Sequence, residues 1–121
     1  MAQIKHIALL AKDQLKLAEF YINTFGMKEV FRQQVENSSD IAIYVSDGHI
    51  NLAILPARGR PEGIYHMGFQ VEDLEKTEKV ALDNGATQGA KGVPRDGRFA
   101  EVFIVDPANT RVDLSTAGWK V

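Results

Sequence analysis

Two stretches of this chain, sixty residues apart, carry the same pattern, and this repeat limits the fold more than any other feature. The stretch IKHIALLAKD places His6 in an apolar run with Asp13 seven residues later, and IYHMGFQVED repeats that spacing with His66 and Asp73. A short apolar run is typical of a buried strand, and an aspartate just after it is typical of a helix N-cap. The repeat therefore predicts two copies of one strand–helix module.

Later landmarks extend the repeat to the end of each half. Gly26 and Gly85 lie at nearly the same distance from the two histidines, and glycine is favoured directly after a helix. The turn sequences Asp47-Gly48 and Asp106-Pro107 then precede the last strand of each half at matching positions. Each half is therefore predicted to be a βαβββ module.

The predicted fold class is α+β, with two βαβββ modules that form a curved mixed sheet around a cleft and with the helices outside. We expect one domain over residues 1–121, with module one at 3–55, a linker at 56–62, module two at 63–116 and a tail at 117–121. The predicted strands are 3–11, 28–35, 41–46, 50–55, 64–71, 86–90, 99–105 and 111–115.

Two local expectations follow from periodicity and turn chemistry. In the first helix, a 3.6-residue period indicates a core-facing stripe. Asp47-Gly48 favours a two-residue hairpin in which both residues have positive φ. The residues predicted for the stripe are Leu17, Phe20, Tyr21, Thr24 and Phe25.

Composition excludes several classes of function. The net charge is −2 without a long run of either sign, which gives no electrostatic footprint for nucleic acid or an anionic membrane. The chain has no cysteine, so disulfides, zinc–thiolate sites and thiol nucleophiles are excluded. We find no signal-peptide layout and no apolar segment near the ~20 residues of a membrane span, and we expect a soluble, cytoplasmic protein.

The polar residues of the predicted inner face are the candidate site. His6 and His66 are polar residues in apolar strands, and a buried imidazole needs a partner. Strand alternation places Asn51 and Asp113 inward at matching places on the last strand of each module. Two histidines and a carboxylate can hold Fe(II), Mn, Ni or Zn with open positions, and a buried polar network without metal is the alternative. His49, beside the hairpin turn, is expected in solvent.

Other residues are candidates for chemistry or for binding. Glu101 shares its strand face with phenylalanines. If that face lines the cleft, burial would raise the pKa of the carboxyl group and suit it to proton transfer, and a surface position at the start of the strand is the alternative. Tyr44 and Gln70 can orient a substrate if their strand faces line the cleft, and ordinary packing is the alternative. Arg98, with Arg95, lies in a Gly/Pro-rich loop and could bind a carboxylate or phosphate group, and a solvated loop arginine is the alternative.

At these residues the sequence resembles the vicinal oxygen chelate superfamily, which includes glyoxalase I, bleomycin-resistance proteins and extradiol dioxygenases. The pieces that carry the resemblance are IKHIALLAKD, LAEFYINTFGMKEV, INLAIL, YHMGFQVEDLEK and DPANTRVDLS, which together span nearly the whole chain. The resemblance implies paired βαβββ modules, a homodimer and a divalent metal. Its ligand positions fall on His6, His66, Asp113 and, as a weaker fourth position, Asn51.

Two departures from the family pattern narrow the function. The last strand has Asp113-Leu114 where the family usually has Glu-Leu, so the carboxylate is one methylene shorter. Asn51 stands where glyoxalase I has a glutamate that moves protons, and an amide is neither a general base nor a charged ligand. Together with these departures, the resemblance implies a metal-dependent dioxygenase, isomerase or lyase that acts on a small molecule with neighbouring oxygens, but not a standard lactoylglutathione lyase. A metal-free, bleomycin-resistance-like binding protein is the alternative.

Overall fold

The computed structural model describes residues 2–34, 40–91, 100 and 102–121. Within these residues the strands are β1 (Gln3–Ala11), β2 (Lys28–Gln34), β3 (Ile41–Ser46), β4 (Asn51–Pro56), β5 (Gly63–Gln70), β6 (Thr87–Lys91), β7 (Val102–Val105) and β8 (Arg111–Ser115). The helices are α1 (Gln14–Phe25) and α2 (Leu74–Asp83). The element order is the predicted βαβββ repeat, and the predicted α+β fold class is confirmed.

In module one, β1 is followed by α1, and the N-cap of α1 is the predicted Asp13. Its carboxylate accepts the backbone N–H of Lys16, and Gly26 ends the helix with a φ of 71°. Strand β1 pairs in parallel with β4, while β3 pairs antiparallel with both β2 and β4. The strand order in this module is β2-β3-β4-β1.

Module two repeats this arrangement. Asp73 caps α2 by accepting the backbone N–H of Lys76. Strand β5 pairs in parallel with β8, and β7 pairs antiparallel with both β6 and β8, which gives the strand order β5-β8-β7-β6. Parallel and antiparallel pairs occur in each module, as expected for a mixed sheet.

The chain divides into two compact units, with boundaries inside β1, inside β5 and before Lys120. One unit contains His6–Tyr65 and Lys120–Val121, and the other contains Met1–Lys5 and His66–Trp119. Each unit has an apolar core between its helix and one face of its strands. The first core includes Leu9, Ala18, Ile43, Val45, Leu52 and Ile54, and the second includes Val71, Val102, Ile104, Val112 and Leu114. The opposite strand face is therefore left for the polar residues.

The stripe predicted for α1 is partly wrong. Leu17 and Tyr21 do pack against the core, but Phe20 and Phe25 are 51% and 66% exposed, and their rings pack edge-on at 6.1 Å. The buried side of the helix is rotated, with Ala18 fully inside. The prediction placed the bulky aromatic residues on the buried face because they are the most apolar. In the structure the small residue Ala18 faces the strands instead.

The two-residue hairpin predicted at Asp47-Gly48 is also wrong. Strand β3 ends at Ser46 and β4 begins at Asn51, so four residues connect them. Gly48 has a φ of 93°, but Asp47 has no positive φ. Its carboxylate instead accepts the backbone N–H groups of His49 and Ile50, both at 2.8 Å. Aspartate often closes a turn in this way, and the longer connection follows from it.

Neither of the two helices in the described part of the chain is both long enough and apolar enough to cross a membrane.

Candidate functional site

The first polar pair, His6 and Asn51, lies on the parallel strands β1 and β4. The two residues are direct partners in the strand register, so their side chains leave the same face side by side. His6 Nδ1 and Asn51 Oδ1 are 3.2 Å apart, and the residues are 4% and 0% exposed. The buried imidazole thus has the polar partner that its position requires.

The amide nitrogen of Asn51 also has a hydrogen-bond partner. This nitrogen, Nδ2, donates a hydrogen bond of 2.8 Å to the backbone carbonyl of Lys120, near the end of the chain. The Lys120 ammonium lies 5.3 Å from the centre of the Phe31 ring, a cation–π contact that adds a second attachment. Asn51 therefore links β4 to both β1 and the tail.

The second polar pair, His66 and Asp113, lies on the parallel strands β5 and β8. His66 Nε2 and Asp113 Oδ2 are 3.1 Å apart, and both residues are buried. The other carboxylate oxygen, Oδ1, accepts a hydrogen bond of 2.8 Å from Arg111 Nε. The Arg111 guanidinium also stacks on Phe103, 4.3 Å from the ring centre. The carboxylate is thus held from two sides.

These contacts keep the Asp113 carboxylate ionised. Burial has the largest single effect and would raise the pKa of Asp113, but the hydrogen bonds and charges of His66 and Arg111 together outweigh it. The pKa therefore lies below its ordinary value. A buried anion of this kind can serve as a metal ligand or as a fixed partner for a cation.

The two pairs do not occupy identical register positions. His6 lies opposite Asn51 in the β1–β4 pairing, but Asp113 lies opposite Gly68, two residues beyond His66. Asn51 and Asp113 therefore lie at corresponding places with an offset of two residues, which is also the difference between their sequence spacings from the two histidines. A shift of two residues keeps the side chain on the same face because the strand period is two. Both pairs accordingly remain on the face that the helices do not cover.

The face around the first pair is apolar and contains small residues. Ala8, Tyr44 and Ala53 form a buried cluster, in which Tyr44 and Ala53 are register partners. The Tyr44 ring packs on Phe31 with the ring centres 5.5 Å apart. The role of Tyr44 in substrate binding stays a prediction, and its position on this face is compatible with it.

Gln70, the other residue predicted to orient a substrate, contacts the chain after β8. Its Nε2 donates to the Thr116 carbonyl at 3.4 Å, and its amide packs against Gly118. Gly118 has a φ of 75°. A Cβ at that position would collide with the Gln70 amide, so the two residues fit closely. Gln70 thus supports the tail, and its substrate role stays a prediction.

Glu101, Arg95 and Arg98 lie outside the residues that the structure describes. Their predicted roles in proton transfer and in anion binding remain predictions. His49 is exposed, as expected for a residue beside the turn.

Two contributors to the polar pairs were not predicted from the sequence. Arg111 precedes Asp113 by two residues, and strand alternation already places both on one face, so the pair was detectable. The backbone carbonyl of Lys120 had no detectable signal, because a main-chain acceptor looks the same at every residue. Each contributor contacts the residue that partners a histidine.

Comparison with known proteins identifies the family. The family model described as Glyoxalase/Bleomycin resistance protein/Dioxygenase superfamily matches residues 3–114. No curated protein sequence matches significantly.

Solved structures show the same fold at low sequence identity. A hypothetical protein, BH1468 from Bacillus halodurans C-125, is 15% identical with a TM-score of 0.72, over 93% of this chain and 92% of that one. A methylmalonyl-CoA epimerase from Mycobacterium tuberculosis is 16% identical with a TM-score of 0.70, over 92% and 85% of the two chains.

A methylmalonyl-CoA epimerase variant from Streptomyces coelicolor, in complex with 2-nitronate-propionyl-CoA, is 17% identical with a TM-score of 0.64, over 93% and 94%. The likeness to these structures concerns the fold, whereas the family model matches nearly the whole sequence. The chain therefore belongs to the glyoxalase/bleomycin resistance protein/dioxygenase superfamily.

Proposed function

We propose that this protein is a divalent-metal-dependent enzyme that acts on a small molecule with neighbouring oxygens, with His6, His66 and Asp113 as the metal ligands. The observation that carries the proposal is the chemistry of these three residues. They are buried, and they are a set of imidazole and carboxylate donors that could hold a metal ion. Two histidines and one carboxylate suit Fe(II), Mn, Ni or Zn and leave coordination positions open for a substrate.

The residues fit such an ion in charge as well as in donor type. Because the pKa of Asp113 is lowered, its carboxylate is an anionic ligand at neutral pH. Arg111 fixes the orientation of that carboxylate, as outer partners of metal ligands commonly do. A divalent ion bound in such a site polarises a substrate oxygen and favours charge development next to it.

Within this class, isomerase chemistry is the form that we propose. Several structures with the same fold are methylmalonyl-CoA epimerases, and one is a complex with methylmalonyl-CoA itself. Epimerisation requires a proton to leave and return at the carbon beside a carbonyl, so it requires a base. Asn51 cannot act as that base, and Glu101 is the residue that we assign to proton transfer.

Metal binding is the first test of this proposal. Protein purified without chelator is analysed for bound metal and then titrated with Mn(II), Ni(II), Zn(II) and, without oxygen, Fe(II). We expect tight binding of at least one of these ions and its loss in His66→Ala. His49→Ala is the matched control, because His49 is exposed on the turn and lies outside the ligand set. Absence of binding in the wild type, or equal loss in the control, would refute the metal site.

Isomerase activity is tested separately. The metal-loaded protein is incubated in D₂O with methylmalonyl-CoA and, as a second probe, with a simple 2-substituted malonate, and deuterium at the carbon between the carbonyls is measured by NMR. We expect exchange that Glu101→Gln slows while metal binding is kept. Tight metal binding without exchange would point to dioxygenase or lyase chemistry and contradict the isomerase assignment.

A metal-free binding protein is the second candidate function, and one observation favours it. Both Asp113 oxygens already have protein partners, His66 Nε2 and Arg111 Nε. A polar network that satisfies its own charges does not need an ion to stay buried. The metal titration separates the two candidates. A homodimer and a cytoplasmic location remain part of the proposal, on the strength of the family resemblance.

A further inference from the structure

We infer that Asn51 is a positioning residue that fixes the tautomer of the neutral His6 ring, and is not itself a metal ligand. This inference rests on the proposed metal site, and it assigns to Asn51 a role that differs from the fourth ligand position that the resemblance implies. It follows from two hydrogen bonds inside one compact unit, His6–Asn51 and Asn51–Lys120.

The first step is the orientation of the Asn51 amide. The Lys120 backbone carbonyl can only accept a hydrogen bond, so the group that faces it at 2.8 Å must be the amide NH₂. The amide oxygen of Asn51 therefore points the other way, toward His6. Asn51 is 0% exposed, so the amide is shielded from bulk solvent.

The second step is the tautomer of His6. An amide oxygen only accepts hydrogen bonds, so the His6 nitrogen that lies 3.2 Å from it must carry the hydrogen. That nitrogen is Nδ1. In a neutral imidazole only one nitrogen is protonated, so Nε2 is then the nitrogen with the lone pair. This is the form in which Nε2 can donate to a cation.

The third step concerns the amide oxygen as a ligand. It is a neutral and weak donor to metals, and here it already accepts the His6 hydrogen. Metal-bound histidines commonly donate their second N–H to an oxygen that fixes the ring, and loss of that oxygen lowers metal affinity by about 10–100-fold. Asn51 has the position and the chemistry of such a partner.

The test uses the tautomer as a readout that needs no metal. Full-length protein with ¹⁵N-labelled histidine, stripped of metal and held above pH 8 where an ordinary imidazole is neutral, is examined by long-range ¹H–¹⁵N NMR. In the wild type we expect His6 with a protonated Nδ1. Asn51→Asp should keep that form, because a carboxylate also accepts the Nδ1 hydrogen, whereas Asn51→Ala should lose it.

Metal affinity is the second readout. Titration with Mn(II) or Zn(II) should show a loss of about 10–100-fold in Asn51→Ala, the range expected when an outer-shell partner is removed. Asn23→Ala, an exposed position on α1, is the matched control and should bind like the wild type.

Two results would overturn the inference. One is a wild-type His6 that carries its hydrogen on Nε2. The other is an Asn51→Ala variant that loses affinity while its His6 tautomer is unchanged, because Asn51 would then act as a ligand. A wild type that binds no ion would refute the proposed function instead, and the tautomer measurement would still decide the role of Asn51. Should Asn51→Ala fail to fold, the wild type and Asn51→Asp suffice.

Discussion

Each module has a buried histidine on its first strand, but the partner of that histidine is neutral in one module and charged in the other. In module one, His6 faces the neutral amide of Asn51, and the amide is anchored by a backbone carbonyl. In module two, His66 faces the carboxylate of Asp113, and the carboxylate is anchored by the charged side chain of Arg111. The parallel pairing of first and last strands supplies the position in both cases, and the choice of residue supplies the charge.

Because of this difference, the two pairs should contribute unequally to the unfolding free energy and to metal affinity. A neutral hydrogen bond contributes roughly 1 kcal/mol, and one to a charged group roughly 1.5–3 kcal/mol. The second pair is both charged and buried, so disturbing it should cost more than disturbing the first. It also contains the only carboxylate in the proposed ligand set, so metal affinity should depend on it most.

The largest effect is expected for Asp113→Asn. This change keeps the shape but removes the negative charge, and divalent affinity should fall by more than about 100-fold, since loss of an outer partner alone costs 10–100-fold. The unfolding free energy of the metal-free protein should fall by about 1–3 kcal/mol, because buried donors lose a charged acceptor. Titration calorimetry and urea unfolding measure the two effects. An equal loss of affinity in Asn51→Ala would contradict the difference between the pairs.

A smaller effect is expected for Arg111→Met. The methionine keeps an apolar stem against Phe103 but leaves Asp113 Oδ1 without its donor. Affinity for the ion should fall by about 10-fold, because the carboxylate stays but is no longer oriented. Arg32→Met, in an exposed pair with Glu29, is the control and should change neither affinity nor stability by a measurable amount. Wild-type affinity in Arg111→Met would show that the guanidinium has no role.

Gly89→Ala should disturb the packing of Phe103, the ring on which Arg111 stacks. A Cβ at Gly89 would collide with the ring of Phe103, which carries the Arg111 guanidinium, and with its backbone oxygen. Overpacking of this kind costs about 1–3 kcal/mol, so thermal unfolding should occur at a lower temperature. Thr87→Ala, at an exposed position on the same strand, is the control. An unchanged melting temperature in Gly89→Ala would contradict the close packing of β6 against Phe103.

The smallest expected effect is the pH dependence of the Asp47 turn. Hydrogen bonds from the N–H groups of Ile50 and His49 hold the pKa of Asp47 below its ordinary value. A carboxyl with a lowered folded-state pKa stabilises the fold above its unfolded-state pKa of about 3.9, and this contribution is lost as the pH falls through the folded value.

The Asp47→Asn variant isolates this contribution. Asparagine keeps an acceptor and does not titrate, so the difference in unfolding free energy from the wild type should shrink on acidification from pH 6 to pH 3. The difference should stay below about 1 kcal/mol because the turn is exposed. Urea unfolding at several pH values measures it. A difference that grows on acidification would contradict the assigned sign.

Most of the fold could be predicted because its signals are local. The aspartates that cap the helices, the glycine that ends α1 and the apolar alternation of the strands each act within a few residues. The error in the helix α1 stripe arose because a longer-range effect decided the outcome. The α1 stripe was misplaced because the close approach of Ala18 to the strands depends on the sheet and not on the helix.

The site could be predicted only in part, for the same reason. The spacing indicated that His66 and Asp113 share a face, but not which residue of β5 lies opposite Asp113 in the strand pairing. The anchoring of Asn51 by Lys120 joins positions 69 residues apart through a main-chain oxygen, which no side-chain pattern reveals. Local periodicity thus indicates which strand face carries the polar residues, whereas the pairing of distant strands and the position of the tail decide which groups these residues contact.

The proposed function requires His6 and His66 to bind the same ion, and the number of ions bound per chain tests this claim. Mass spectrometry under non-denaturing conditions, after loading with Zn(II) or Mn(II), counts ions in the wild type, His6→Ala and His66→Ala. We predict one ion per chain in the wild type and none in either variant at the same free metal concentration. An ion retained in His6→Ala and lost in His66→Ala would contradict the claim, because the second pair would then bind metal alone.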